Sequence, residues 1–550
     1  MIDTVRAFSA LSEEFVERSL EFDPVSATLA GIHDYDARYP NDTPDGFRDR
    51  SVWLRDLEDR LVASVPWEEL PVEARSDFAL LRSRLATLRA GIDEVRDWSK
   101  TPARYPDTAL RGLFLLMARP FAPLDERKES AVARLMAVPD YLEAATRCMP
   151  GEVPELMLEV ALEVNATGPG YVDDMVRQLV RSHPGEAERI EHAGARARMG
   201  FLRYQEFLEK DLAARVGGSF AIGERWMNYR LEREHLLSMD CAYLQNLGQA
   251  HLARLRGALE TEARRLDPRR DWRTLVAEAK TRHPEPLRVR DAYVAEMERA
   301  RRFVEERRIA PMTDCRLEIV DTPVFERAIT PIATYLPPAP FDVEQTGYFF
   351  VTPVDLSRRG EELDEQLHGH NHASITLVSL HEAYPGHHLH LAHASKNGSR
   401  LRRLVGSDLL AEGWALYCEE LMYEQGFFEE PFARLIQLRN ELWRACRVLI
   451  DVGIQTGRMG FPDAVKLLVE EVMLERESAE KEVKHYAANP TRPLSYLVGK
   501  ELIMELREET RGRLGERFSL YDFHAAVLKS GSLPPFLLRA EVNERLGIGH

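Results

Sequence analysis

His381-Glu382-Ala383-Tyr384-Pro385-Gly386-His387-His388-Leu389-His390 is the stretch from which the rest of this chain is interpreted. A histidine followed directly by a glutamate, with more histidines one to two turns later, is typical of a zinc hydrolase. Zn²⁺ binds imidazole and carboxylate groups tetrahedrally, and a catalytic site leaves one position for a water molecule. The stretch therefore predicts a zinc site, with Glu382 as the general base that deprotonates this water.

The spacing of the histidines departs from the common His-Glu-x-x-His pattern, because Pro385 occupies the position of the second histidine. On an uninterrupted helix His388 would lie about 10 Å further along the axis than His381, which is too far for both to bind one ion. The proline lacks a helical N–H, and the glycine after it tolerates most backbone angles. We therefore predict a bulge at 384–386 that makes His387 the second ligand, and His388 remains the alternative.

A third ligand is expected from a separate helix, which the sequence predicts over 407–420. Glu412 stands there among small and apolar residues, where a carboxylate is costly unless it is paired or bound to a metal. Glu419 and Glu420 follow a turn or two later. We expect these two to be solvated, and they serve only as fallback ligands.

The sequence from His381 to His388, followed by Glu-Gly-Trp-Ala from Glu412, resembles a large bacterial family named DUF885. Its members are regarded as zinc metallopeptidases. The resemblance implies a mainly α-helical, two-lobed fold with a deep cleft, loosely similar to angiotensin-converting enzyme and the thimet oligopeptidase group. One departure is Gln455, where the family pattern has a histidine, and it weakens the case for a substrate contact at that position. Weaker matches lie at 23–31, 321–323, 447–451, 493–500 and 523–534.

Two tyrosines near the C-terminal end are candidates to donate a hydrogen bond to the oxyanion of peptide hydrolysis. Tyr496 matches the family pattern and is the predicted catalytic donor, against the alternative of a structural tyrosine. Tyr486 and His485 can supply the same donor, and Tyr486 is assigned to substrate binding. Lys500 is a candidate for holding a substrate carboxylate, although a surface lysine is the favoured interpretation.

Two further candidates for substrate binding carry competing interpretations. Arg447 and Asp451 are spaced i,i+4 on a predicted helix over 431–456, which favours an ion pair between them. The alternative is that Arg447 anchors the carboxylate of a peptide. Gly347–Thr352 has the composition of a strand. It is either a core strand or an edge strand that holds an extended substrate beside the metal, and in the second case Tyr348 contacts the substrate.

Length and composition describe an ordinary globular protein of 550 residues. We predict an N-terminal helical region over 1–310 and a catalytic region over 311–550, with an approximate boundary across which the two lobes can interleave, and a small β-sheet near the active site. The formal net charge of −17 argues against a nucleic-acid partner. No apolar run is long enough for a membrane span, and no signal-peptide pattern is present. Five scattered cysteines indicate free thiols, so the predicted location is cytoplasmic.

The sequence thus predicts a bacterial zinc-dependent peptidase that hydrolyses short peptides. One alternative is a metal-dependent hydrolase or amidase of a non-peptide small molecule. Another is a non-catalytic peptide-binding protein derived from a peptidase, although the presence of both Glu382 and Glu412 argues against it. A purely structural helical protein is the remaining alternative. Cobalt or manganese would suit the same ligands, and the direction of cleavage and the oligomeric state are not predicted.

Overall fold

Helices make up most of the chain, as the sequence predicts, and one small sheet accompanies them. The computed structural model describes residues 2–323, 327 and 332–548. Within these residues the chain forms two compact units, and the candidate site residues all belong to the second. No helix in this part of the chain combines the length and the apolar character that a bilayer crossing requires.

The first unit comprises Met1–Phe220, Pro323–Ile329 and Ala339–Glu344. The side chain of Asp23 accepts a hydrogen bond from the backbone N–H of Ser26 and so caps its second helix. Its helices are α1 (Ile2–Phe22), α2 (Pro24–Ala30), α3 (Pro44–Ser64), α4 (Val72–Ala90), α5 (Arg104–Ala118), α6 (Leu124–Thr146), α7 (Glu155–Ser182) and α8 (Ala187–Glu206).

The second unit comprises Ala221–Thr322, Thr330–Pro338 and Gln345–His550, so the main boundary along the chain falls at 220 and 221. The sequence placed it near 310, but helices α9 to α12 group with the second unit. Its helices are α9 (Glu224–Arg233), α10 (Cys241–Leu266), α11 (Trp272–Lys280), α12 (Val289–Glu306), α13 (Glu361–Gly369), α14 (His372–Glu382), α15 (His387–Ser395), α16 (Arg400–Leu404), α17 (Asp408–Glu424), α18 (Ala433–Gln455), α19 (Phe461–Leu467), α20 (Arg476–Ala488), α21 (Arg492–Leu514), α22 (Leu520–Lys529) and α23 (Pro535–Arg545).

The sheet of the second unit has three strands, β1 (Arg316–Asp321), β2 (Ala333–Leu336) and β3 (Thr346–Val351), in the order β1-β3-β2. Strand β3 runs parallel to β1 and antiparallel to β2. Tyr348 therefore stands in the central strand, opposite Glu318 on one side and Leu336 on the other. The interpretation of this segment as a peptide-binding edge strand is wrong, because both of its edges are paired within the sheet.

An apolar core surrounds the elements that carry the predicted metal ligands. Leu380 and Leu389, which flank the two candidate histidines along the chain, are fully buried in it. Trp414 and Tyr417 of α17 and Phe523 of α22 are buried in the same core. Burying each of these side chains contributes roughly 1.5–3 kcal/mol to folding. The candidate site therefore stands on helices whose positions are fixed by packing.

Candidate metal centre

The two candidate histidines stand on either side of a sharp turn. Helix α14 ends at Glu382 and α15 begins at His387, so the helix is interrupted completely where the sequence predicts a bulge. Gly386 lies in this turn so close to the end of α14 that an added Cβ would overlap the carbonyl oxygens of Leu380 and His381. The Trp414 indole N–H donates to the carbonyl oxygen of the proline in the turn, at 2.8 Å. Only glycine allows the chain to turn back here, and the turn brings His387 beside His381.

His381, His387 and Glu412 form a convergent set of ligand atoms. One donor atom from each lies within 4.8 Å of the others. Glu412 Oε2 is 3.3 Å from His387 Nε2 and 3.8 Å from His381 Nε2. Two ligands of a tetrahedral zinc ion stand about 3.4 Å apart when each metal–ligand bond is about 2.0–2.1 Å. The donor types and spacings therefore fit a zinc ion.

Without a metal, the cluster is held together by opposite charges, and a bound metal ion would take the place of the proton on His381. Burial opposes ionisation of Glu412, but the neighbouring His387 and His381 hold the pKa of this carboxyl well below its usual range. Burial likewise opposes the charged form of His381, yet hydrogen bonds with Glu412 and Glu419 raise its pKa to about 10. The Nδ1 atom of His387 is buried and makes no hydrogen bond to the described residues. An anionic carboxylate therefore faces two imidazoles at one point.

Glu419, a fallback ligand in the sequence prediction, has a role at this site that the sequence does not predict. It was expected to be solvated, but only 2% of it is exposed, and its Oε1 lies 2.9 Å from His381 Nδ1. A carboxylate that holds the proton at Nδ1 leaves Nε2 as the ligand atom and fixes the orientation of the ring. The signal was available, since Glu419 lies two turns after Glu412 on the same face of one helix. Glu420 is half-buried and pairs with Arg434 at 2.7 Å.

His388, the alternative second ligand, points away from the other donors. Its Nδ1 is 3.0 Å from the Tyr335 hydroxyl, and its Nε2 is 3.3 Å from the carbonyl oxygen of Cys315. The ring is fully buried, and burial lowers its pKa to about 4. His388 therefore joins α15 to the segments that form β2 and precede β1, and it leaves the ligand position to His387.

Glu382 directly follows His381 at the end of α14. Its carboxylate is half-buried and makes no hydrogen bond or ion pair within residues 2–323, 327 and 332–548. Its negative charge nevertheless acts on His381. A carboxylate without a partner beside the metal ligands is available to exchange protons.

Tyr496 of α21 brings its ring against His381. The two rings are nearly parallel, at an interplanar angle of 16°, with centroids 6.4 Å apart. The hydroxyl makes no hydrogen bond to the described part of the chain. Burial and the charge of Glu412 raise the pKa of Tyr496 to about 12, so the hydroxyl keeps its proton at neutral pH. It is an unused donor beside the metal ligands.

Arg447 and Tyr486 belong to a network that is already satisfied. Arg447 Nε donates to the Tyr486 hydroxyl at 2.9 Å, and its Nη2 lies 3.2 Å from Glu482. The same hydroxyl accepts from the Trp443 indole and donates to Glu482. The expected ion pair with Asp451 is wrong, because that carboxylate accepts from two backbone N–H groups at the start of α21 instead. Arg447 and Tyr486, both predicted to contact substrate, are thus hydrogen-bonded to each other.

Lys500 is also engaged within the protein. It is 3% exposed, and its ammonium lies 2.9 Å from Glu441, so the interpretation as a surface lysine is wrong. Glu441, with His251 and Glu501, forms the second group of possible metal ligands in the described residues. A cation is not needed there, because Lys500 and Arg254 already neutralise Glu441. Lys500 is therefore not free to hold a substrate carboxylate.

A close contact between two glycines sets the distance between α17 and α21. A Cβ added to Gly413 would overlap the backbone of Gly499, and one added to Gly499 would overlap the carbonyl oxygen of Leu409. Each glycine lies within one turn of a candidate functional residue, Glu412 on α17 and Tyr496 on α21. The two helices can therefore bring these side chains to the same site.

Gln455, where the sequence departs from the family pattern, is fully buried. Its amide donates to the carbonyl oxygen of Ala487 at 3.0 Å and accepts from the backbone N–H of Ile222 at 3.2 Å. It joins the end of α18 to α20 and to the segment before α9. This position makes no contact with the candidate metal ligands.

Comparison with known proteins identifies one family that the sequence matches and solved structures with a similar fold. The chain matches the family described as "Bacterial protein of unknown function (DUF885)" over residues 24–542. A solved "putative lipoprotein of unknown function from Shewanella oneidensis" is 23% identical, with a TM-score of 0.79 over 97% of this chain and 98% of that one. A "putative lipoprotein from Colwellia psychrerythraea" is 18% identical, with a TM-score of 0.83 over 99% and 100% of the two chains. These two structures share the fold. No curated protein matches the sequence.

Proposed function

The chain belongs to the bacterial family DUF885, and from this premise and its cluster of ligand side chains we propose that it is a zinc-dependent peptidase. The observation that carries the proposal is the convergence of His381, His387 and Glu412 within 4.8 Å. The proposal includes the finer features expected from the sequence, namely a two-lobed peptidase fold whose deep cleft admits short peptides.

In the proposed peptide hydrolysis, Glu382, Tyr496, Glu419 and the three ligands each have a separate role. Zinc held by the three ligands would supply a Lewis acid, which lowers the pKa of water toward neutrality and polarises a carbonyl. Glu382 accepts the proton of the attacking water and returns it to the leaving amine. The Tyr496 hydroxyl donates a hydrogen bond to the oxygen of the attacked carbonyl as negative charge develops there. Glu419 keeps the His381 ring in its orientation.

The first test is the metal content of protein purified without chelator or histidine tag. We expect about one zinc per chain in the wild type, as in other single-site zinc hydrolases. Glu412→Gln should lose it. Glu501→Gln makes the same change in the second ligand group and should retain it. Wild type that neither contains nor takes up a metal would overturn the proposal.

The second test is hydrolysis of a panel of short peptides by the zinc-loaded protein. Glu382→Gln should abolish cleavage while it retains the metal, because the general base touches the reacting water and is not a ligand. Cleavage of non-peptide amides with no peptide cleaved would instead favour an amidase. Metal binding without any hydrolysis would favour a binding protein.

A further inference from the structure

Arg444 carries a charge that the described residues do not neutralise. It lies on α18 one turn before Arg447, and it is half-buried. Its Nη1 donates to the backbone carbonyl oxygen of Asn440 at 3.2 Å, and its Nε is buried without a hydrogen-bond partner. No carboxylate within residues 2–323, 327 and 332–548 forms an ion pair with it, whereas Arg447 has Glu482.

This arginine lies beside the proposed catalytic groups. Its guanidinium carbon is 5.7 Å from the ring centroid of Tyr496, the ring that lies almost parallel to His381. On another side the guanidinium is 5.5 Å from the ring of Trp443. The negative charge of Glu419, the carboxylate bonded to His381, also acts on Arg444. Arg444 therefore belongs to the surroundings of the same site.

An unpaired cation here is unfavourable in the free protein. Burial and the neighbouring charge of Arg447 both lower the pKa of Arg444. A buried charge is costly unless a partner of opposite charge accepts its hydrogen bonds. The planar guanidinium fork matches a carboxylate, and such charge-assisted pairs are about twice as strong as neutral hydrogen bonds. An anionic group on a bound ligand would supply the partner that Arg444 lacks among the described residues.

We propose that Arg444 anchors the free C-terminal carboxylate of the peptide substrate, so that the enzyme cleaves from the carboxyl end. The proposal rests on the proposed function and makes it more specific. Arg447, the anchor considered from the sequence, is excluded from this role because Glu482 and Tyr486 already occupy its guanidinium.

The position of Arg444 also limits the length of the piece removed. The ring of Tyr496 is 5.7 Å from the guanidinium of Arg444 and 6.4 Å from the ring of His381, so these two groups are no more than about 12 Å apart. An extended residue spans about 3.3–3.6 Å. A carboxylate at Arg444 would therefore place the scissile bond within about three residues of the C-terminus, and the expected products are free amino acids, dipeptides or tripeptides.

The experiment compares acetyl-Ala-Ala-Ala-Phe with a free carboxylate and the same peptide as its C-terminal amide. Wild type should prefer the acid by about 10–100-fold in kcat/KM, the range expected for a hydrogen bond to a charged group. Arg444→Gln should raise KM for the acid by a similar factor and leave the amide unaffected, and Arg444→Lys should recover part of the preference. Arg458→Gln changes an exposed arginine just after α18 and should leave both substrates unaffected. Equal cleavage of acid and amide by wild type would overturn the anchor.

A binding measurement separates this proposal from the peptidase itself. Both peptides are titrated into Glu382→Gln protein, with and without Arg444→Gln, and heat or tryptophan fluorescence is recorded. Tighter binding of the acid that depends on Arg444 supports the anchor even if wild type hydrolyses nothing. Equal binding of the two peptides, or an acid preference that survives Arg444→Gln, overturns it. If Arg444→Gln melts well below wild type, its binding data reflect a loss of folding. In that case the proposal is judged from Arg444→Lys and from the binding of the acid and the amide to protein that retains Arg444.

Discussion

Three glutamates near the candidate metal centre have different surroundings. Replacing each of them is therefore expected to impair a different property of the site. Glu412 faces both histidines and is held ionised by them. Glu382 is half-buried and has no hydrogen-bond partner in the described chain. Glu419 is buried against His381. Loss of the first should remove the metal, loss of the second should stop proton transfer, and loss of the third should weaken the metal site.

Replacement of Glu419 tests whether it supports the site through His381. Glu419→Ala removes the acceptor that lies 2.9 Å from His381 Nδ1, so the ring loses its fixed orientation. We expect zinc affinity to fall about 10–100-fold, as is typical when such a supporting carboxylate is lost. Competition with a chromophoric chelator measures the change. Asp408→Ala, at an exposed position in the first turn of the same helix, is the control, and equal affinities of the two variants would exclude this role.

The two tyrosines predicted for the site should give opposite phenotypes. Tyr496→Phe removes a hydroxyl with no partner in the described residues, so stability and metal content should not change. Its kcat should fall by about 100–1000-fold, the cost of losing one oxyanion donor. Tyr486→Phe breaks buried bonds with Arg447 and Glu482, so the free energy of unfolding should fall by about 1–3 kcal/mol. Thermal melts and initial rates on both variants check this, and a catalytic loss confined to Tyr486→Phe would reverse the assignment.

Among the elements, the contact of α17 with α21 decides whether the metal ligands and the oxyanion donor meet. Gly499→Ala would place a Cβ against the carbonyl oxygen of Leu409, and this backbone atom cannot move aside as a flexible side chain could. We expect a lower melting temperature together with loss of activity. Gly512→Ala, on the same helix with open space around it, is the control and should be neutral or stabilising by up to about 1 kcal/mol. A stable, active Gly499→Ala protein would contradict the described packing.

The sequence predicted those features of the fold that depend on residues close together in the chain. The proline and glycine at 385 and 386 predicted the place where the helix departs from regular geometry, although as a bulge and not as a complete interruption. Strand-forming residues predicted β3 within one residue. Long-range burial leaves no local signal. Glu419 and Lys500 carry charged side chains that are usually exposed, and here tertiary packing buries both. The central position of β3 depends on β2, whose four residues lie in a proline-rich segment that gave no strand signal.

At the scale of the whole molecule, the five cysteines are all free and buried. None of them is paired, in agreement with the free thiols expected from the sequence. The cytoplasmic location stays a prediction. The description as a lipoprotein belongs to the two solved structures and is not transferred to this chain. Fractionation of cells that express the full gene product would test it, with the protein expected among the soluble cytoplasmic proteins.

In the first unit, His33 contacts Asp342, a residue far from it in the sequence. The contribution of this contact to stability should depend on pH. His33 lies 2.9 Å from Asp36 and 3.2 Å from Asp342, two carboxylates of the same unit. Burial opposes the charge of His33, but the hydrogen bonds to Asp342 and Asp36 outweigh it and raise the pKa of His33 to about 9. A histidine in the unfolded chain has a pKa of about 6.5. The folded state therefore binds the proton more tightly than the unfolded state.

The stabilisation from His33 is complete below about pH 6.5 and is lost as the pH rises through about 9, because only the protonated ring gains from the two carboxylates. We expect the free energy of unfolding to fall between these values by roughly 1–3 kcal/mol, since solvent screens part of the interaction. Denaturant unfolding at pH 6 to 10 measures it. His33→Gln should lack this decline, whereas His192→Gln, at an exposed histidine of the same unit, should keep it. Parallel profiles for wild type and His33→Gln would show that the contact with Asp342 does not hold a charged histidine.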